Sequence, residues 1–167
     1  MRYLACFNPT KILTDKLLKD GLSTYEPSSG WHCTLWPGFN IQEEDEKAIQ
    51  RSLSSIKARP FTTETIDFSI FYEDSYVLTL SKSSELQDLH EKVVKTARQF
   101  DKDRTLFDES VRRFGLKWYN PHITISKTSK IPELHENYKG ISMNINNYSL
   151  VKKKNGLWEK VSDYKLE

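Results

Sequence analysis

The chain reads as an α+β protein in which antiparallel strands and packed helices fall into two comparable halves. Three observations carry that reading. Apolar residues recur at helical spacing in three segments, and they alternate along several strand-like runs. One short polar pattern, His-x-Thr on a strand, is written twice, at His32-Cys33-Thr34 and His122-Ile123-Thr124. The order strand, helix, motif strand, helix, strand, strand, helix, motif strand, strand, strand gives each half its own strands, a helix and one motif. An approximate two-fold axis between such halves would set the two motif strands on opposite sides of one cleft.

Residues 2–8 form the first strand, stopped by Pro9. Residues 10–19 place Ile12, Leu13, Leu17 and Leu18 at helical spacing and close at Gly21. The Ser-rich stretch 22–30, with Pro27 and Gly30, is a loop leading into the first motif strand, Trp31-His32-Cys33-Thr34-Leu35-Trp36, which Pro37-Gly38 is expected to end. Residues 43–56 form a helix with Ala48, Ile49, Leu53 and Ile56 inward, and its acidic start, Glu43-Glu44-Asp45-Glu46, complements the helix dipole. Residues 65–71 and 76–81 are strands joined by a turn at 72–75. Ser83 or Ser84 caps a long helix reaching Phe100, with Leu86, Leu89, Val93, Val94, Ala97 and Phe100 inward and His90 packed or at the rim.

The stretch 101–117 mixes Asp, Arg and Phe with little periodicity. It reads as a long loop, a lid or a substrate-contacting arm, with room for a short helix. The second motif strand follows, Tyr119-Asn120-Pro121-His122-Ile123-Thr124-Ile125-Ser126-Lys127. A connector over 131–140 holds His135, taken as a surface histidine. Strands at 141–151 and 157–166 flank Lys152-Lys153-Lys154-Asn155-Gly156, where Asn-Gly is a strong hairpin signal. The lysines read as a solvated edge, with a phosphate contact as the alternative.

With 167 residues there is ample length for a core, and the whole span 1–167 is expected to act as one unit. Net charge is only +2, which argues against an obligate binder of long duplex nucleic acid but suits a short anionic ligand. The first nine residues lack a signal-peptide pattern and no apolar run reaches membrane-spanning length, so the expectation is a soluble, cytoplasmic monomer. Cys6 and Cys33 sit in strand-like runs as core thiols. No His and carboxylate cluster has metal-ligand spacing, and neither a metal nor a cofactor is expected.

Strand alternation sends His32 and Thr34 to one face, and His122, Thr124 and Ser126 likewise, while the intervening aliphatics anchor. At ordinary residue usage, a Thr two after a His and an aliphatic at three occurs for roughly one His in sixty. Two of the four histidines satisfy it. Two histidines with two hydroxyls suit phosphoester chemistry: one imidazole takes a proton from the attacking hydroxyl or water, and the other protonates the leaving oxygen. Thr34 and Thr124 would donate to the non-bridging oxygens. Trp36, Phe39, Trp118 and Tyr119 crowd the motifs as base-stacking candidates. Ser126 and Arg113 complete the candidate substrate contacts, Arg113 by holding a flanking phosphate together with Arg112 and Lys117.

His32-Cys33-Thr34-Leu35 and His122-Ile123-Thr124-Ile125 resemble the two signature motifs of the 2H phosphoesterase superfamily. The resemblance implies a bilobal α+β fold with a central cleft. It also implies metal-independent chemistry on 2′,5′-linked or 2′,3′-cyclic phosphates, with His32, Thr34, His122 and Thr124 as the catalytic residues. Its members include RNA ligase-like proteins, cyclic nucleotide phosphodiesterases and 2′,5′-oligoadenylate phosphodiesterases, so the implied partner is a short oligonucleotide or cyclic nucleotide. A binding module without turnover and a ligase working the reverse reaction share the same residues.

Overall fold

In the computed structural model, residues 1–22, 30–71, 75–127 and 137–167 are described. Among these residues eight strands form one sheet: β1 (Arg2–Phe7), β2 (Cys33–Asn40), β3 (Phe61–Phe71), β4 (Ser75–Leu80), β5 (His122–Lys127), β6 (Ser142–Ile145), β7 (Asn147–Lys154) and β8 (Leu157–Lys165). Four α-helices accompany them: α1 (Lys11–Lys19), α2 (Glu46–Ser54), α3 (Ser84–Phe100) and α4 (Arg104–Phe114). The strand order is β6-β3-β4-β5-β2-β1-β7-β8, and every pairing is antiparallel. The expected α+β architecture is therefore present, with the two motif strands side by side at the centre of a single sheet.

The helices lie on one face. Leu13 and Leu17 from α1, Ile49 and Leu53 from α2, Leu86, Leu89, Val93 and Ala97 from α3 and Phe107 from α4 join Tyr3, Ala5, Phe7, Cys33, Leu78 and Ile123 of the sheet in one buried cluster. Alternation along β1 sends Leu4 and Cys6 to the opposite face, where they meet Val151 and Trp158 in a smaller cluster. A helix covers a sheet with a narrow stripe, which is why only half of the apolar residues expected inward on α1 are buried. Ile12 and Leu18 are exposed, at 67% and 60%, and Leu13 and Leu17, one turn apart, carry the contact.

Local signals fixed several ends. Ser83 accepts a hydrogen bond from the Leu86 N–H at 3.1 Å and caps α3. Gly21 stands at φ 72° after α1, and Asn155 and Gly156 stand at φ 51° and 83° in the β7–β8 hairpin, as an Asn-Gly turn requires. Three expectations are corrected. Pro37-Gly38 does not end the first motif strand: β2 runs on to Asn40, because Phe39 and Asn40 still pair with Tyr3 and Arg2, and the proline falls where the ladder is already irregular. The stretch 141–151 is two strands, because the chain leaves β3 after Ile145 and joins β1 on the far side of the sheet from Asn147.

The stretch 101–117, expected as a long loop with room for a short helix, is mostly the helix α4. Asp103 caps it through the Leu106 N–H at 3.0 Å, and an Arg98–Asp108 ion pair at 2.6 Å ties it to α3. Phe107 is buried in the core and Val111, one turn on, packs partly buried against it; with Phe114 they stand at i, i+4 and i+7 in the sequence, a helical spacing set among many charged residues. Lys154 is exposed as expected, whereas Lys152 pairs with Glu46 at 2.8 Å and Lys153 lies 5.5 Å over the Trp158 ring. Glu46 also accepts the Tyr3 hydroxyl at 2.6 Å, so one carboxylate of the acidic run ties α2 to the sheet. The loop at 22–30, the turn at 72–75 and the connector with His135 lie partly or wholly outside the described residues.

Candidate active site

Cys33 stands opposite Ile123, the one ladder pair joining β2 to β5 among the described residues. The strands run antiparallel through that pair, which puts His32 on the side of Thr124 and Thr34 on the side of His122, with no further ladder pair between them among the described residues. A two-fold rotation about the Cys33–Ile123 pair exchanges His32 with His122 and Thr34 with Thr124. Cys33 and Ile123 are fully buried on the helix face. The four motif side chains therefore share the face opposite the helices, where Cys6 lies beside Thr34 and Thr79 beside His122.

Each motif histidine is held the same way. His32 Nδ1 lies 3.0 Å from the Gly30 carbonyl and His122 Nδ1 lies 2.8 Å from the Asn120 carbonyl, two residues back in both cases. A carbonyl only accepts, so Nδ1 carries the hydrogen, and in the neutral ring the lone pair belongs to Nε2. The Phe71 ring packs on His122 at 4.7 Å in an edge arrangement. All four motif residues are partly exposed. Such a set can accept a proton at one imidazole, donate one at the other and offer two hydroxyl donors between them.

Immediately after each Thr the alternation breaks. Thr34 pairs with Cys6 but Trp36 with Ala5, leaving Leu35 as an extra residue in β2. Thr124 pairs with Val77 but Ser126 with Tyr76, leaving Ile125 as an extra residue in β5. A bulge of one residue flips every later side chain to the other face. This corrects two expectations. Trp36 is turned into the core, 2% exposed, against Phe107 at 5.1 Å, and the Ser126 hydroxyl is buried on the Tyr76 face with no hydrogen-bond partner among the described residues.

Phe39, 1% exposed and stacked on Tyr3 at 6.1 Å, also belongs to the core and has no ring face for a base. Tyr119 is buried, and its hydroxyl donates to the Thr34 carbonyl at 3.2 Å and lies 3.7 Å from Cys33 Sγ. It braces the site instead of meeting a ligand. Trp118 is exposed, at 61%, with Lys117 Nζ 4.8 Å over its ring, and Arg113 is exposed in the last turn of α4.

His90 was expected packed or at the rim of its helix. It is fully buried and makes two hydrogen bonds: Nδ1 donates to the Leu35 carbonyl at 2.6 Å, and Nε2 accepts from the Leu116 N–H at 2.9 Å. Its ring stacks on Tyr119 with centroids 3.9 Å apart and 4° between planes. Burial pulls its pKa down to about 4, so it is neutral near pH 7. These partners are 55 and 26 residues away, and no local pattern announces them. Burial also pushes the Cys6 and Cys33 thiols up to about 12, consistent with the expected inert core thiols.

Among the described residues, no group of three or more His, Cys, Asp or Glu side chains is arranged to hold a metal ion, and no helix is long and apolar enough to cross a membrane. No protein-family model and no curated protein sequence matches the chain. Solved structures do. A crystal structure of TT0787 from Thermus thermophilus superposes with a TM-score of 0.71 at 18% identity, covering 99% of this chain and 98% of that one. A crystal structure named as a phosphoesterase gives 0.67 at 16% identity, covering 99% and 97%. Escherichia coli LigT in complex with phosphate gives 0.69 at 14% identity, covering 99% and 96%. LigT is also solved with 3′-AMP, NADP+ and ATP. Across almost its whole length, the chain therefore has the fold of the LigT and phosphoesterase structures, the fold that the paired His-x-Thr motifs implied.

Proposed function

We propose that the protein is a metal-independent phosphodiesterase of the 2H type, acting on short 2′,5′-linked oligonucleotides or on cyclic phosphates. One histidine of the His32 and His122 pair takes the proton from a ribose hydroxyl or water, and the other protonates the departing oxygen. Thr34 and Thr124 donate hydrogen bonds to the non-bridging oxygens as charge shifts in the transition state. The observation carrying the reading is the Cys33–Ile123 pair, which sets the two motif strands side by side with the histidine and threonine of each flanking it. The Nδ1 tethers add to it, because both rings enter the reaction with Nε2 as the proton-transfer atom.

LigT accommodates phosphate and small nucleotides on the same fold, which supports a small nucleotide or short oligonucleotide as the substrate class. Destruction of a nucleotide signal such as 2′,5′-oligoadenylate or a cyclic oligonucleotide is the role we favour. Trp118 is the exposed ring suited to stack a base, and Arg113 is the cation suited to a flanking phosphate. The deciding experiment is a chromatographic product assay in EDTA, offering 2′,5′- and 3′,5′-linked oligoadenylates, a nucleoside 2′,3′-cyclic phosphate and cyclic oligonucleotides. We expect one class to be turned over by the wild type and left intact by His32→Ala and His122→Ala. Binding without turnover would make the protein a capture module, and joining of ends would make it a ligase.

A further inference from the structure

The two motif strands are the most weakly laddered neighbours in the sheet. Among the described residues, β2 and β5 share the Cys33–Ile123 pair, whereas β5 and β4 stay paired from Ser75–Lys127 to Thr79–His122 and β1 and β7 from Arg2–Lys153 to Cys6–Ser149. No other ladder pair joins β2 to β5 among the described residues, so backbone hydrogen bonds by themselves hold the two motifs together at that one point. Side chains add further ties. Tyr119, three residues before His122, donates its hydroxyl to the carbonyl of Thr34. His90, stacked on Tyr119, donates to the next carbonyl, Leu35, and accepts from Leu116 in the segment leading to β5.

We infer that His90 and Tyr119 form a positioning clamp that sets the separation of the two His-x-Thr strands, and through it the spacing of the His32 and His122 imidazoles. Neither residue touches the reacting atoms. The clamp acts on the backbone of Thr34 and Leu35 on one side and of the segment 116–119 on the other. His90 suits the task because a neutral imidazole donates at one nitrogen and accepts at the other. Leu116 supplies its N–H from a left-handed backbone at φ 51°, a conformation a leucine rarely holds unaided, so the bond to His90 also fixes the bend that turns the chain toward the second motif.

The inference rests on the reading of the two motifs as the reacting site, and the test separates the two. Steady-state kinetics would compare the wild type with Tyr119→Phe, His90→Phe and His90→Gln. Tyr119→Phe keeps the stacked ring and removes only the hydroxyl; His90→Phe keeps a ring and removes both hydrogen bonds; the His90→Gln amide can still donate and accept. A displacement of 1 Å at a reacting group costs on the order of 100-fold, so we expect Tyr119→Phe and His90→Phe to lose at least about tenfold in kcat with KM within about twofold, and His90→Gln to recover part of the loss.

Imidazole 15N spectra of His32 and His122, which need no substrate, are expected to shift in the same variants. Folded variants with wild-type kcat, or with unmoved imidazole signals, would overturn the clamp. A wild type inert towards every phosphodiester, with imidazole signals still moved by the variants, would leave the clamp standing and remove the phosphodiesterase reading instead.

Discussion

The two His-x-Thr strands are locally alike and differently supported. Each tethers its histidine Nδ1 to the carbonyl two residues back, buries the residue between His and Thr, and breaks its ladder with one extra residue directly after the Thr. Their surroundings diverge. His122 is the first residue of β5, paired with Thr79 and packed against Phe71, and its approach runs through the buried His90 and Tyr119 contacts. His32 stands one residue before β2 begins and follows Gly30 in a left-handed conformation at φ 65°. The tryptophans follow the same division. Trp36, after the first motif, is core, and Trp118, before the second, is exposed. Near-equal chemistry can thus be built on unequal scaffolding, because reaction geometry depends on the few bonds at each histidine while stability depends on what lies behind the strand.

The strongest way to break the comparison is at the histidines. Replacing either His32 or His122 with alanine is expected to lower kcat/KM by roughly 100- to 10,000-fold, the range for loss of a general acid or base. A bell-shaped pH profile should accompany the wild type, and each variant should lose one limb. Substantial activity in either variant would show that the two strands are not chemical equivalents.

The tryptophans sharpen the comparison next. Trp36→Ala is expected to destabilise the fold by about 3–5 kcal/mol in urea unfolding, because a large side chain leaves a cavity against Phe107 and His90. Trp118→Ala should stay within about 0.5 kcal/mol of wild-type stability and instead raise KM. The reverse pattern would undo the assignment of one ring to the core and the other to the ligand.

His90 adds a dependence of stability on pH. Its folded pKa of about 4 lies below the ordinary value of 6.5, so between those values the unfolded chain binds the proton that the folded chain refuses. Stability contributed by this group is therefore complete above pH 6.5, falls as the pH drops towards 4, and changes no further below. The span corresponds to roughly 3 kcal/mol. Urea midpoints at pH 7.5 and 4.5 should differ less in His90→Gln than in the wild type.

The smallest effect is expected at the thiols. Cys6 and Cys33 should resist alkylation at pH 8 in the native state and react once urea is added, since burial holds both protonated. Alkylation of native Cys6 would indicate that the small apolar cluster on the motif face opens readily.

Much of this was legible in the residues. Period-2 and period-3.6 apolar patterns located the core strands and α1 to α3, and the Ser83 cap and the Asn155-Gly156 turn marked their ends, because these signals act within a few residues along the chain. The repeated His-x-Thr pointed to paired chemistry, since residue types and short spacing are all that such a pattern needs. Other features were set by partners far away in sequence. Which face Trp36 and Ser126 occupy depends on bulges at Leu35 and Ile125, and a bulge exists only relative to the strand it pairs with. α4 was harder to read: Phe107, Val111 and Phe114 do recur at helical spacing, but the charged residues between them dilute the pattern, and Phe107 and Val111 meet a core built from distant strands. The Cys33–Ile123 pair that sets the two motifs side by side, and the His90 and Tyr119 bonds that reach β2 beside it, join residues from distant parts of the chain, 85 positions apart for Tyr119 and Thr34, and only folding brings such residues within reach.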